Sequence, residues 1–181
     1  MNNNLSKLLK AIEFAADKHK YQNRKDAEKI PYINHPIKVA NTLIQVGKEE
    51  NLELLVAAVL HDTIEDTDTK PKEIEEKFGK EVLDLVLETT DNKNLPKPVR
   101  KILQIKNATK KSDKAKKLQI ADKICNVKDI IELPPVDWSI RRKLQYFDWA
   151  EKLVYKLRGV NPYLENLFDE LIKKGRNKLQ V

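Results

Sequence analysis

The chain has 181 residues, of which 40% are hydrophobic and 35% are charged, and its formal net charge is +7. This length and composition predict a single compact domain over residues 1–181, and the lone cysteine, Cys125, excludes an internal disulfide. The N-terminus lacks the pattern of a signal peptide and no window is long enough to span a bilayer, so we expect a cytoplasmic protein without a membrane partner. The positive charge favours an anionic partner, such as nucleic acid, a nucleotide or a phosphorylated metabolite.

Apolar residues at helical spacing begin near the N-terminus. Residues 5–19 carry leucine, isoleucine and alanine at this spacing, which predicts an amphipathic first helix. Residues 21–34 are polar, and we expect a loop there, with a short extended or hairpin piece just before His35. Pro36 follows directly, so we predict that His35 lies at a helix N-terminus with the proline at the first helical position. Gly47 is the expected end of this second helix.

The rest of the chain predicts further helices separated by glycine, proline or short polar turns. Asp137 is the expected cap of the helix that begins at Trp138. Strand signals are almost absent, so we predict an all-α fold of about nine to ten helices around one core. The predicted helices cover, in order, residues 50–60, 70–78, 80–90, 95–108, 113–131, 138–157 and 162–172.

Residues 61–68 form a densely charged stretch at the end of an apolar helix, with one histidine and four carboxylates. Like charges this close repel one another, so we expect a cation among them. A divalent metal is the simplest such cation, because carboxylate and imidazole are its usual ligands. The pair His61-Asp62 follows the apolar run 54–60, which predicts that it lies at the inner end of a buried helix, where an unpaired charge is costly.

Two of the three histidines are candidate metal ligands. His19 lies on the apolar face of the first helix, where a structural role is the better interpretation. His35 and His61, taken together with Asp62, favour a metal site. Asp122 interrupts an apolar face and is the candidate for a further ligand; the alternative is an aspartate paired with a lysine on a solvated face.

The order His35, His61-Asp62, Asp122 resembles the signature of the HD metal-dependent phosphohydrolases. A longer set of segments resembles the hydrolase domain of the RelA/SpoT alarmone enzymes, and most of all the stand-alone small alarmone hydrolases of the Mesh1 type. The similarity extends over residues 8–171. The matching segments are Arg24-Lys25, Pro31-Tyr32-Ile33-Asn34-His35-Pro36, His61-Asp62-Thr63-Ile64-Glu65-Asp66-Thr67 and Ala121-Asp122-Lys123-Ile124-Cys125-Asn126.

This resemblance implies a single HD-type domain that hydrolyses the 3′-pyrophosphate of guanosine tetra- or pentaphosphate (ppGpp or pppGpp) to GDP or GTP. It implies one Mn²⁺ per chain, bound by His35, His61, Asp62 and Asp122. Glu65 and Asp66 match the family's acidic pair, which handles the attacking water. If the turn after Asp62 stays helical, His61/Glu65 and Asp62/Asp66 are each four residues apart and share one face. The alternative for the acidic pair is a solvent-exposed turn at a helix C-terminus.

The resemblance also implies a cationic rim around an anionic substrate. Arg24 and Lys25 are expected beside the guanine base, and Asn126 beside the ribose or the scissile phosphate. Residues on two later predicted helices are the candidates for holding the pyrophosphates: Lys97, Arg100, Lys101, Arg142 and Tyr146. For each of these charges, a solvated surface position is the alternative. Cys125 and Lys128 stand where relatives often carry tyrosine and arginine, which bears on substrate preference.

Other functions remain open at this point. The same kind of site serves other nucleotide hydrolases, including removal of the 2′-phosphate of NADPH. A non-catalytic nucleotide sensor would normally lack a ligand or the acidic pair, and all of them are present. No nucleic-acid motif is recognisable, so we expect a small nucleotide as partner, not nucleic acid. The oligomeric state is open, and a homo-oligomer is compatible with the sequence.

Overall fold

The computed structural model describes residues 3–179, and that part of the chain folds into ten α-helices and one short 3-10 helix. The all-α prediction is confirmed. Within residues 3–179, none of the helices is long and apolar enough to cross a membrane. The α-helices are α1 (Asn3–Lys18), α2 (Asn34–Gln45), α3 (Leu52–Leu60), α4 (Thr63–Asp66), α5 (Pro71–Phe78), α6 (Lys80–Thr89), α7 (Lys97–Asn107), α8 (Asp113–Glu132), α9 (Ile140–Leu157) and α10 (Pro162–Leu179), and the 3-10 helix is Ala108–Lys110.

The most apolar helix, α3, lies at the centre of the core. Every residue from Leu54 to Leu60 is buried, because this helix has no polar face to turn towards water. The Asn51 side chain caps its N-terminus by accepting a hydrogen bond from the Leu54 amide at 2.9 Å. Helix α3 packs against α1, α2, α6 and α8. Its C-terminus therefore delivers His61 into the interior.

The longest helix, α8, crosses the same core and is buried on most of its surface. Ser112 caps it by accepting a hydrogen bond from the Ala115 amide at 3.2 Å. Its contacts include α2, α3, α9 and α10. Among its buried residues are three polar ones, Gln119, Asp122 and Lys123, which is unusual for a core helix and indicates a site.

The loop between α1 and α2 contains the short extended piece expected before His35. Asn23 and Pro31 form an isolated antiparallel bridge, and the Arg24 amide donates to the Ile30 carbonyl at 2.8 Å. Helix α2 begins at Asn34, with Ile33 before it. Pro36 is thus the third helical residue and not the first, a position that proline tolerates because first-turn amides have no intrahelical acceptor.

The start of α9 also differs from the prediction. The helix begins at Ile140, and its cap is Ser139, which accepts a hydrogen bond from the Arg142 amide at 3.3 Å. Asp137 and Trp138 lie before it. Serine and aspartate are nearly equal as N-caps, so sequence alone does not separate two candidates two residues apart.

Candidate metal and nucleotide site

Four side chains from three segments meet in the interior: His35 on α2, His61 and Asp62 between α3 and α4, and Asp122 on α8. His35 Nε2 lies 3.1 Å from Asp122 Oδ1, and His61 Nε2 lies 3.1 Å from Asp62 Oδ2. Each of the two cross distances, from either Nε2 to the other carboxylate, is 4.0 Å. All four predicted ligands therefore point into one small volume.

The hydrogen bonding of His61 leaves one ring nitrogen available. Its Nδ1 lies 2.8 Å from the Ala58 carbonyl oxygen, so Nδ1 carries a proton and Nε2 is the nitrogen that faces the cluster. Within residues 3–179, His61 Nε2 is buried and makes no well-formed hydrogen bond, although Asp62 Oδ2 lies 3.1 Å away. A buried, unsatisfied nitrogen of this kind is costly, and a metal ion would satisfy it.

The donor set fits a divalent cation. One ligand atom from each of His35, His61 and Asp62 lies within 4.8 Å of the others, and Asp122 Oδ1 lies 3.1 Å from His35 Nε2. Imidazole nitrogens and carboxylate oxygens together suit divalent transition metals. These residues therefore form a candidate divalent-metal site.

The ligand cluster is strongly polarised. Burial acts to raise the pKa of Asp62, but His61 and His35 outweigh it and hold that pKa well below its usual range. Burial lowers the pKa of His35. For His61, burial acts in the same direction, but the charges of Asp62 and Asp122 raise its pKa to about 9. Burial likewise acts to raise the pKa of Asp122, but Lys123 and His35 hold it well below its usual range. Both Asp62 and Asp122 are therefore ionised beside the two imidazoles.

The predicted acidic pair, Glu65 and Asp66, lies on the short helix α4 beside this cluster. The Asp66 amide donates to the Asp62 carbonyl at 2.8 Å, so the turn stays helical as the spacing required. Glu65 Oε2 accepts from the Asp91 amide at 2.9 Å, and Glu65 Oε1 accepts from Arg100 Nη1 at 3.2 Å. Burial raises the pKa of Glu65. The pair is therefore not a freely solvated acidic turn.

Three residues without a role in the sequence analysis contact this centre. The Tyr32 hydroxyl donates to Asp62 Oδ2 at 2.6 Å and lies 3.4 Å from Asp66 Oδ2. The Lys93 ammonium forms an ion pair with Asp66, and Lys123 Nζ lies 2.5 Å from Asp122 Oδ2. Tyr32 and Lys123 lie inside segments that resemble the family, so the sequence could have indicated that they belong to the site. Lys93 lies outside those segments, and nothing in the sequence pointed to it.

Two connected cavities open over the cluster. The smaller, of about 160 Å³, lies against the four candidate ligands, and the larger, of about 360 Å³, extends towards α7, α9 and the loop before α2. The walls of the larger cavity include Trp138, Tyr146 and Trp149. The residues that line both cavities are Tyr32, His35, Glu65, Gln104, Lys123 and Asn126. A ligand in the larger cavity can therefore reach the metal cluster.

The predicted base-binding residue Arg24 is already held in place. Its guanidinium donates to Asn126 Oδ1 at 3.0 Å and to Asp129 Oδ2 at 2.8 Å, and it lies 5.7 Å from the Tyr32 ring centroid. Asn126 Nδ2 in turn donates to Asp122 Oδ1 at 2.5 Å. The network links the outer cavity to a candidate metal ligand, and Asp129 is a member that sequence reasoning missed.

The structure brings the remaining predicted rim residues to the larger cavity, except for one. Arg142 does not line it, but its guanidinium lies 4.5 Å from the ring centroid of Trp138, which does. Arg100 is engaged with Glu65 and Asp91, at 3.2 and 3.6 Å, and so is not a free cation. The predicted residues in the cavity wall are Arg24, Lys25, Lys97, Arg100, Lys101, Asn126 and Tyr146.

Lys97 and Lys101 are lysines of the cavity wall that have no carboxylate partner within residues 3–179. Neither forms a salt bridge within the described part of the chain. Burial and the nearby Arg142 lower the pKa of Lys97, and burial together with Lys97 lowers the pKa of Lys101 to about 8. Mutually repelling cations in a cavity wall form a receptor for an anion.

Cys125 has no catalytic surroundings. Its thiol is buried 3.4 Å from the Thr42 hydroxyl, and burial raises its pKa to about 12. A buried thiol of this kind is inert as a nucleophile.

The geometry of the cluster agrees with a comparison of the whole chain with known families. The profile of a family described as "HD domain" matches residues 11–143. The chain belongs to the HD-domain family. The predicted resemblance to the HD family is thereby confirmed.

Several relatives within the HD-domain family match this chain over almost their whole length. It is 47% identical to a protein of Xenopus tropicalis named guanosine-3′,5′-bis(diphosphate) 3′-pyrophosphohydrolase MESH1, over 94% of this chain and 96% of the relative. It is 45% identical to the human protein of the same name, over 96% and 97%. A solved structure described as a metazoan orthologue of SpoT that hydrolyses ppGpp aligns with a TM-score of 0.90 and 43% identity, covering 93% of this chain and 94% of its own.

Proposed function

We propose that this protein is a guanosine-3′,5′-bis(diphosphate) 3′-pyrophosphohydrolase, which converts ppGpp to GDP and pppGpp to GTP with release of pyrophosphate. The observation that carries the proposal is the connection between the buried two-histidine, two-aspartate cluster and a larger cavity lined by aromatic residues and unpaired lysines. Sequence identity of 45–47% to proteins named for this activity supports it.

His35, His61, Asp62 and Asp122 would hold one divalent cation, which we propose to be Mn²⁺. Such a cation polarises a phosphoryl group and acidifies water. The mixed imidazole and carboxylate donors suit manganese better than a thiolate set would. The hydrogen bond from His61 Nδ1 to Ala58, at 2.8 Å, and that from Tyr32 to Asp62, at 2.6 Å, orient two of the ligands.

Glu65 and Asp66 are the groups that would orient the attacking water and accept its proton. The water oxygen forms a bond to phosphorus while the bond from that phosphorus to the ribose 3′ oxygen breaks, and the ribose oxygen takes up a proton. Burial raises the pKa of Glu65, which brings it closer to neutral pH and makes it a better proton acceptor. Arg100 and the Asp91 amide fix its carboxylate, at 3.2 and 2.9 Å.

The outer cavity would bind the nucleotide. Arg24, with Lys25 beside it, is suited to the guanine base, because a guanidinium held flat by Asn126 and Asp129 presents a face for stacking. Lys97, Lys101 and Arg142 would neutralise the diphosphates, since none of them has a carboxylate partner within residues 3–179. Asn126 and Tyr146, both in the wall of this cavity, would contact the ribose or a phosphate.

The deciding experiment is an assay of the purified protein with ppGpp, pppGpp and NADPH in parallel, with Mn²⁺ added after chelation. We expect pyrophosphate release from the two guanosine substrates, and no activity before Mn²⁺ is added. Phosphate release from NADPH alone would assign the site to the other nucleotide-hydrolase reaction. No turnover of any of the three would refute the proposed activity.

Variants separate the metal ligands from the acidic pair. His61→Ala or Asp62→Ala should abolish both metal content and turnover. Glu65→Gln and Asp66→Asn should retain the metal but lose at least about a hundredfold in kcat, within the range for removal of a general base. A double Glu65→Gln/Asp66→Asn variant with unchanged kcat would show that neither acid handles the water.

A further inference from the structure

Lys123 is a buried cation that the proposed reaction does not yet use. It follows Asp122 on α8, and only 10% of its side chain is exposed. Its Nζ lies 2.5 Å from Asp122 Oδ2, which is its one salt bridge within residues 3–179, and 5.2 Å from the Trp149 ring centroid. A buried ammonium is costly even when it is paired, so a surface role in solubility does not account for it.

The two oxygens of Asp122 face different partners. Oδ1 points at the histidines, 3.1 Å from His35 Nε2 and 4.0 Å from His61 Nε2, and also accepts from Asn126 at 2.5 Å. Oδ2 is taken by the Lys123 ammonium. A carboxylate can bind a cation through one oxygen or through both. Here the second oxygen is already engaged.

The position of Lys123 also matters for the substrate. It is one of the six residues that line both the cavity over the metal cluster and the larger cavity. A phosphoryl group that reaches from the nucleotide cavity to the metal cluster must pass this junction. Trp149, on the wall of the larger cavity, keeps one side of the ammonium away from water.

We propose that Lys123 is a positioning residue that limits Asp122 to one-oxygen contact with the divalent cation and keeps a positive charge at the junction of the two cavities. The inference rests on the proposed function. One atom from each of His35, His61, Asp62 and Asp122 would leave positions on a bound cation open for the reactants, whereas a second oxygen from Asp122 would fill one of them. The ammonium thereby weakens metal binding somewhat and strengthens the binding of a phosphate.

The test is Lys123→Met, which keeps the length and the packing against Trp149 but removes the charge. Removing a like charge next to a cation should tighten Mn²⁺ binding about tenfold, because a single charge at this range changes an ionic equilibrium by one to three powers of ten. Binding of inorganic pyrophosphate to the Mn²⁺-loaded protein should weaken at least about tenfold for the same reason. Calorimetric titration with Mn²⁺, then with pyrophosphate, measures both without turnover.

Lys117→Met is the matched control. Lys117 lies on the same helix, its side chain is 22% exposed, and it is paired with one carboxylate, Glu49, at 2.8 Å, but it lines neither cavity. We expect Mn²⁺ and pyrophosphate affinities of this variant to match those of the unmodified protein. Lys123→Gln serves if the methionine variant does not fold: it also removes the charge but keeps a polar side chain, and the same two shifts are expected.

Two outcomes would overturn the inference. If Lys123→Met and Lys123→Gln lose Mn²⁺ affinity, Lys123 merely supports Asp122 as a ligand. If both retain the pyrophosphate affinity of the unmodified protein, Lys123 has no part in phosphate binding. Both titrations measure binding without turnover, so they stay decisive even if the unmodified protein fails to hydrolyse ppGpp, and the failure of the proposed activity is recognised separately.

Discussion

The Lys101 ammonium lies 4.4 Å from the Trp149 ring centroid, in the wall of the larger cavity. Burial and the charge of Lys97 lower its pKa to about 8. It is therefore protonated and attractive to phosphate below that pH, and neutral above it. We predict that kcat/KM for ppGpp falls as pH rises through about 8, since kcat/KM reports the ionisation of the free enzyme.

Replacement of Lys101 tests this prediction. Lys101→Met should lower kcat/KM at neutral pH about tenfold and remove the alkaline decline, whereas Lys106→Met, on the exposed side of the same helix, should change neither. An alkaline decline that persists unchanged in Lys101→Met would assign it to another group.

Tyr32 joins a candidate metal ligand to the acidic pair through a single hydroxyl. In Tyr32→Phe the ring keeps its contact with His19, whose ring centroid lies 4.9 Å away, but the bond to Asp62 is lost. A hydrogen bond to a charged group contributes about 1.5–3 kcal/mol, so we expect kcat to fall roughly 10- to 150-fold. Steady-state kinetics with Tyr155→Phe, an exposed tyrosine, as control would measure it; a kcat within about twofold of the control would make the hydroxyl dispensable.

At the scale of helices, α10 packs closely on α9 at Gly175. A Cβ added there would lie 2.7 Å from Phe147 Cε2 and 3.1 Å from Ile131 Cδ1. Phe147 is fully buried and has little room to move. Alanine normally stabilises a helix by about 1 kcal/mol relative to glycine, but overpacking of a core costs about 1–3 kcal/mol.

We therefore predict that Gly175→Ala lowers the melting temperature, by up to roughly 8 °C for a net cost of about 2 kcal/mol in a domain of this size. Lys174→Ala, an exposed neighbour on α10, should stay close to the unmodified protein in the same thermal melt. A Gly175→Ala protein that melts higher would mean that helix propensity outweighs the clash.

The helices themselves follow from periodicity and breakers, which is why their order and type were predictable. The first residues of the helices were harder to predict. Ser139 caps α9 instead of the predicted Asp137, and the sequence could not separate the two because serine and aspartate have similar capping strength. The candidate ligands were predictable from motif resemblance. The Tyr32–Asp62 and Arg24–Asp129 contacts join residues 30 and 105 positions apart, and only the packing of distant segments decides which such pairs meet. That residues 1–181 form a single domain stays a prediction.

For the whole molecule, the candidate metal site joins α2, the α3–α4 corner and α8, three parts that are distant in sequence. An ion bound only by the folded chain stabilises it in proportion to its occupancy, by about 2.7 kcal/mol at one hundred times its dissociation constant. We predict that Mn²⁺ added to chelator-treated protein raises the melting temperature by roughly 5–10 °C.

The control protein for this measurement is His61→Ala, which removes one of the four candidate metal ligands. We expect no such rise in that variant. An equal rise in both proteins would indicate Mn²⁺ binding elsewhere.

The loop before α2 contributes both to the larger cavity, through Arg24, and to the candidate metal cluster, through Tyr32. Arg24, which we propose stacks on the base, and Tyr32, which donates to Asp62, lie next to the two residues of the Asn23–Pro31 bridge, and the Lys25 carbonyl accepts from the Val136 amide at 3.0 Å. A laboratory library that randomises this loop to change nucleotide preference would disturb the reaction centre in most of its members. Variants with new preferences and intact turnover should instead accumulate on the opposite wall, along α9, where side chains can vary without moving Asp62 or Glu65.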